Sequence, residues 1–204
     1  MEPPQPEQIE RKLGRPTEAG RIERREQILD AALPIFLEDG YGNATVERIA
    51  AAARVTKRTI YSYFGNKDGV FTEMQRRLAA GVSGDTLAPD SLETLATRIV
   101  LGLHSARMVG LHRLVIAESR RFPDLAHKLY DNGDMRHITR LAEHIEAEHG
   151  RAAADRAEAL YSLLLGEDYR RRLLGLIEPV TDDAAVAYAR SALAFLGLTT
   201  IPER

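Results

Sequence analysis

The chain has 204 residues, 44% of them hydrophobic and 6% aromatic, with no tryptophan, no cysteine and a formal net charge of −2. Without cysteine there are no disulfides, thiolate metal centres, iron–sulfur clusters or cysteine nucleophiles. A composition rich in Ala, Leu, Arg and Glu with few aromatics points to an all-α fold rather than a β-sandwich. The charge is uneven: 13 Lys and Arg stand against 12 Asp and Glu over residues 1–77, and the acidic excess lies in the remainder. Two local runs are sharply basic. Arg11, Lys12, Arg15, Arg21, Arg24 and Arg25 form one, and Arg48, Arg54, Lys57, Arg58 and Lys67 the other, which are the places where a polyanion could dock.

Residues 1–20 hold four prolines and two glycines and few large apolar groups, so they are expected to be a flexible basic arm. Neither a signal peptide nor an 18-residue apolar run is expected, which places the protein in the cytoplasm, away from membranes. From Ile22, apolar residues recur at three- and four-residue spacing (Ile28, Leu29, Ala32, Ile35, Phe36) until Gly40-Tyr41-Gly42, which predicts a first helix bent at Pro34. Thr45 caps a second helix over 46–53. After Arg54-Val55, Thr56 caps a third through Phe64, and Asn66 caps a fourth that carries Phe71, Met74 and Leu78 toward Gly81 and Gly84. That glycine pair marks a domain boundary, dividing residues 21–83 from 84–204. Helices are then expected at 90–106, 108–121, 123–149, 152–174 and 182–197, separated by Pro123, Gly150, Gly175 and Pro179.

Two short helices separated by a tight turn after a longer one have the form of a helix-turn-helix, whose second helix buries one face and offers the other to a DNA major groove. Val55, Ile60 and Phe64 supply the buried side. Lys57, Arg58, Thr59, Ser62 and Tyr63 remain for phosphates and base edges, while Thr45 and Lys67 start the flanking helices, whose free N–H groups favour phosphate. A single short recognition helix reads few base pairs, so a two-fold dimer on an inverted repeat is expected.

The run REQILDAALPIFLEDGYGNATVERIAAAARVTKRTIYSYFGNKDGVFTEMQRRL, Arg25 to Leu78, resembles the N-terminal domain of the TetR/AcrR family of transcriptional regulators. It carries that family's AA..IF..GY, T.ERIA and T..TIY.YF.NKD.VF patterns. The resemblance implies three DNA-binding helices, a linking fourth helix and a helical-bundle domain for dimerisation and ligand. It also implies repression relieved by a small molecule. It places DNA contacts on Thr45, Lys57, Arg58, Thr59, Tyr61, Tyr63 and Lys67. The sequence departs from the pattern at Arg54, where glycine is common, so a left-handed turn there would be strained. Gly14-Arg15-Pro16 resembles the core of AT-hook arms and reads either as a minor-groove arm carrying Arg15 or as a tail.

HRLVIAESRRFPDLAHKLYDNG, from His112, is similar to the AefR-like C-terminal segment of the same family. The stripes Leu160 and Leu164, and Val186, Leu193 and Leu196, fit either intrachain core or a dimer seam, and the resemblance favours the seam. Met74, His104, Met108, Leu111, Val115 and Tyr130 are candidate lining for a mainly apolar effector, with helix core as the alternative. No metal site is expected, because His144 and His149 lie about 140° apart on a helix and HExxH is missing. No cofactor cradle or nucleophile–base pair is present in the sequence, so no enzyme is expected.

Overall fold

A computed structural model describes residues 17–83 and 91–199. In chain order the helices are α1 (Glu18–Asn43), α2 (Val46–Ala52), α3 (Lys57–Phe64), α4 (Lys67–Ser83), α5 (Leu92–Leu103), α6 (Ala106–Glu118), α7 (Pro123–Leu129), α8 (Met135–His149), α9 (Ala157–Leu173) and α10 (Asp182–Phe195). A π-turn, Tyr130–Asp134, joins α7 to α8, and a 3₁₀ segment, Arg151–Arg156, precedes α9.

Local chemistry starts most of these helices. The hydroxyls of Thr17, Thr45, Thr56, Ser91, Ser105 and Thr181 each accept a first-turn N–H, at 3.1–3.4 Å. Asn66 Oδ1 accepts from Gly69 N–H at 2.8 Å, and Pro123 opens α7 where a helix lacks a use for its N–H. Helix α1 starts at Glu18, one turn earlier than the periodicity implied, because Thr17 caps it. Thus residues 18–20, expected in the arm, belong to the helix. The backbone leaves helical geometry at Gly40 (φ 77°, ψ 161°) and not at Pro34. Only glycine takes this conformation cheaply, and a Cβ there would also stand 2.9 Å from Glu118 Oε1.

Ile28, Leu29, Phe36, Ile49, Ile60 and Phe71 close the core of the head. It continues without a break into the C-terminal bundle, where α5 packs against α10, α4 and α8. Phe36, Tyr41, Phe71 and Phe122 form an edge-to-face and stacked cluster at the junction. Three polar links reinforce it: Glu118 Oε1 accepts from Gly42 N–H at 3.0 Å, Lys128 pairs with Asp68, and the Tyr41 hydroxyl faces Asp68. The head is therefore tied to α6 and α7 as well as to α4. Among the described residues no single helix is long and apolar enough to cross a membrane.

Candidate nucleic-acid interface

Helix α3 owes its orientation to Ile60, which is fully buried, and to the half-buried Val55 and Phe64 packed on the same core. Its opposite face presents Lys57, Arg58, Tyr61 and Ser62 to solvent, with Tyr61 49% exposed. The turn before it is held by Arg54 N–H to Ala51 O at 3.1 Å and Val55 N–H to Ala50 O at 2.9 Å. Arg54 sits at φ 52°, the sole non-glycine residue of positive φ among those described, and that strain costs about 1 kcal/mol or more. The strained turn expected from the sequence is present, and it carries an arginine side chain where glycine would leave none.

The arginines of the head divide into two groups. Arg25 pairs with Glu73, Arg48 with Glu38 and Asp39, Arg76 with Glu73, and Arg77 with Glu26 and Asp30. Arg24, Arg54 and Arg58 have no ion pair among the described residues, and all three line one groove of about 790 Å³ between the start of α1 and α3. Thr17, Thr59, Ser62 and Tyr63 also line it, together with one carboxylate, Glu23, which makes no ion pair with the three arginines. Sequence reasoning placed Arg24 and Arg54 in basic runs without assigning them to the site; Arg54 stands in the turn that leads into α3, and Arg24 comes to the same groove because α1 and α3 both pack on α2 and α4.

Other expected contacts lie differently. Lys57 reaches back to Glu47 at 2.8 Å, which raises the lysine and lowers the carboxylate from their ordinary values through the hydrogen bond and the opposite charge. Both are exposed, so the pair is easily exchanged for another anion. The Thr59 hydroxyl contacts that of Thr56 at 2.9 Å, within the cap. Thr45 is exposed but its hydroxyl is occupied at the start of α2.

Lys67 needs a correction: it does not offer its ammonium outward for a phosphate. Its Nζ donates to the carbonyls of Tyr41 at 2.7 Å, Ala44 at 2.9 Å and Gly42 at 3.3 Å, and lies 4.6 Å from the centre of the Tyr41 ring. Three donors meet three acceptors, so none remains, and desolvation lowers the ammonium from its ordinary range. Lys67 closes the turn broken at Gly40. Arg15 lies outside the described residues.

The six expected effector contacts do not all share one cavity, although Met108 and Leu111 together line a small inner one of about 10 Å³. Met74 and Leu111 are wholly buried core, and Met108 and Val115 nearly so. His104 is buried elsewhere, its Nε2 2.9 Å from Leu164 O and its Nδ1 accepting from Arg172 at 2.9 Å. Tyr130 is half-exposed at the edge of an outer cavity of about 310 Å³ between α6, α8 and α9, which shares His112 and Asp134 with that inner one. The expected dimer residues Leu160, Leu164 and Leu193 are buried within the chain, leaving only Val186 and Leu196 half-buried. An apolar stripe marks the face a helix buries, and here that face meets α5, α6 and α8.

Polar residues that the sequence does not single out fill the centre of the bundle. His112 Nδ1 shares a hydrogen bond with the Tyr169 hydroxyl, and the Tyr161 hydroxyl donates to Asp134. His137 stacks on Tyr161 with centroids 6.1 Å apart. Burial lowers both His112 and His137 to about 4, and raises Asp134 and Tyr161. The sequence signal for this cluster was faint: His137 stands on the apolar face of α8 together with Leu141 and Ile145.

Comparison with known proteins agrees with this architecture. Residues 28–74 match the family described as bacterial regulatory proteins, tetR family, and residues 90–197 match the AefR-like transcriptional repressor C-terminal domain. The chain is 40% identical over 89 residues to the HTH-type transcriptional repressor Rv1474c of Mycobacterium tuberculosis, a match that covers 37% of this chain and 48% of the relative. It is 48% identical over 48 residues to the regulator HbdR of Aromatoleum, covering 24% of this chain and 21% of that one. These matches span about half or less of each relative. Among solved structures, the flavonoid-responsive regulator FrrA superposes with a TM-score of 0.65 at 29% identity, over 85% of this chain and 95% of FrrA. A TetR-family structure from Mesorhizobium loti, at 22% identity and a TM-score of 0.59 over 86% of this chain and 97% of that one, shares the fold. The chain belongs to the TetR family of bacterial regulatory proteins, with a C-terminal domain of the AefR-like repressor type.

Proposed function

We propose that the chain is a sequence-specific, operator-binding transcriptional repressor in the cytoplasm that a small molecule releases from DNA. The observation that carries this reading is the sorting of arginines: those with carboxylate partners hold the head together, and Arg24, Arg54 and Arg58 converge on one groove beside the exposed face of α3. Guanidinium groups without counter-ions beside a recognition helix suit phosphates and guanine edges.

The test is fluorescence anisotropy on fragments upstream of the protein's own gene, across a salt series. Arg58→Ala should weaken the operator by about 1–3 kcal/mol with loss of preference at particular base pairs, and Arg54→Ala should weaken all sequences alike and flatten the salt slope by about one. Removing residues 1–16, which leaves the Thr17 cap intact, should reduce the preference for A·T-rich flanks through loss of Arg15. Unchanged affinity in both arginine variants would refute the docking face.

The same reading includes a two-fold dimer through α9 and α10, now assigned to the exposed face of α10 and the turn that follows α9. Phe195 is 79% exposed, Leu174 64% and Leu176 66%, with the small exposed residues Ala187, Ser191 and Ala194 between. A large apolar side chain so placed is an interface anchor. Phe195→Glu should shift the protein to monomers in sedimentation and lower operator affinity by about 3 kcal/mol, roughly 100-fold. Wild-type protein that sediments as a monomer at the concentration giving full operator binding would contradict the dimer. An effector acts through the tie between α6–α7 and the head, and linkage requires that operator DNA weaken it by the same factor.

A further inference from the structure

The cavity of about 310 Å³ meets a second, inner one of about 10 Å³, and His112 and Asp134 stand in the wall between them. Tyr130, Tyr161, Tyr169 and Glu158 line the outer space, and Gln75 and His137 the inner one. Neither lining includes a lysine or arginine. Asp134 is half-buried, accepts from Tyr161, and has no cationic partner among the described residues. Gln75 is 3% exposed with neither side-chain amide atom partnered, and His137 is 1% exposed with Nδ1 unpartnered.

A half-buried carboxylate without a counter-ion and a buried amide without hydrogen bonds each cost free energy that a ligand can recover. What they ask for is specific. Two carboxylates and three phenol rings, with no lysine or arginine in the lining and Arg136 near enough only to act on His137, make a field that attracts positive charge and rejects carboxylates. The neutral imidazoles of His112 and His137, kept uncharged by burial, add acceptors and no repulsion. The π-turn Tyr130–Asp134 contributes the first and last of its residues to the outer cavity, and such turns recur at functional sites.

We propose that the outer cavity receives an organic cation, a protonated amine or amidinium on an aromatic or alkyl frame. Its charge lies between Asp134 and the tyrosine rings, and its N–H groups face the His112–Asp134 wall, behind which Gln75 and His137 lie. This rests on the effector reading above and names the chemistry of that effector.

The experiment is calorimetric titration of the full chain with three isosteric probes: protonated biphenylmethylamine, biphenylmethanol and biphenylcarboxylate. The ammonium should bind about tenfold or more tighter than the alcohol, and the carboxylate weakest. Asp134→Asn, which keeps the shape and the Tyr161 hydrogen bond, should bring the ammonium level with the alcohol and leave the alcohol unchanged. Glu158→Gln, at the exposed mouth, should lower the same ratio by less and serves if Asp134→Asn does not fold. No heat from the ammonium, a neutral or anionic probe that binds as tightly, or a ratio indifferent to both variants overturns the cation site. Release of operator DNA is measured separately: binding without release refutes the effector reading alone, and release by a ligand indifferent to Asp134 refutes the cation site alone.

Discussion

Acidification from pH 7.5 to pH 5 is expected to cost the fold about 2 kcal/mol for each of His112 and His137, whose folded values of about 4 lie well below the ordinary 6.5. The sign follows from burial. Through the window between 6.5 and 4 the unfolded chain takes up protons that the folded chain refuses, so stability is complete above 6.5 and falls as pH falls. A combined loss of about 4 kcal/mol is a large share of the 5–15 kcal/mol typical of a native protein. Asp134, raised by burial, acts in the opposite sense, in the lower window where carboxylates titrate. Urea midpoints at the two pH values check the result, and His112→Gln with His137→Gln should flatten the dependence. Equal wild-type midpoints at pH 7.5 and 5 would show that neither imidazole is held neutral.

Replacing Gly69 by alanine is expected to abolish operator binding. A Cβ at Gly69 would lie 1.9 Å from the Phe64 carbonyl oxygen, a backbone atom that no rotamer change can move. The last turn of α3 would have to shift against α4, taking Tyr63 and the groove with it. Overpacking against side chains costs about 1–3 kcal/mol, and a backbone clash belongs at or above the top of that range. Gly81, in the same helix with open space around it, is the control: Gly81→Ala should stabilise by about 0.5–1 kcal/mol. The pair separates the two effects of glycine within α4. Thermal melts and operator titrations read both, and a Gly69→Ala protein with unchanged melting temperature and affinity would show that the α3–α4 junction is not the rigid positioner of the recognition helix.

The junction also limits how an effector signal can travel. Tyr41 is raised to about 12 by burial and by Asp68, which also pairs with Lys128 of α7. Phe122, at the start of α7, packs on Tyr41 at 5.0 Å, and the same short helix ends in the π-turn that supplies Asp134 to the cavity. The helix that borders the proposed cation site thus touches the turn closed by Lys67, and moving it disturbs α1 and α4 together.

The head was legible because its signals are local. Thr45, Thr56 and Asn66 cap helices within three residues of themselves, and the apolar spacing of Ile28, Leu29, Ala32 and Ile60 specifies a buried face. The positions of the C-terminal helices follow from their punctuation, but the stretch 123–149 is interrupted by the π-turn, and the expected helix over 152–174 begins as a 3₁₀ segment and leaves helical geometry at Gly166 (φ 54°, ψ −169°). Periodicity says which face of α9 and α10 is buried but not whether a neighbour in the same chain or a second copy buries it, and for Leu160, Leu164 and Leu193 it is the same chain. A lysine's charge says nothing of where its stem leads, and Lys67 is drawn onto three carbonyls exposed by the break at Gly40, some 25 residues away. Gln75, His112, Asp134 and His137 come from α4, α6, the π-turn and α8, and nothing local links them. Their shared burial, with the unmet hydrogen bonds and shifted protonation that follow, is a property of the packed bundle alone, because desolvation depends on what surrounds a group in space and not on its neighbours along the chain.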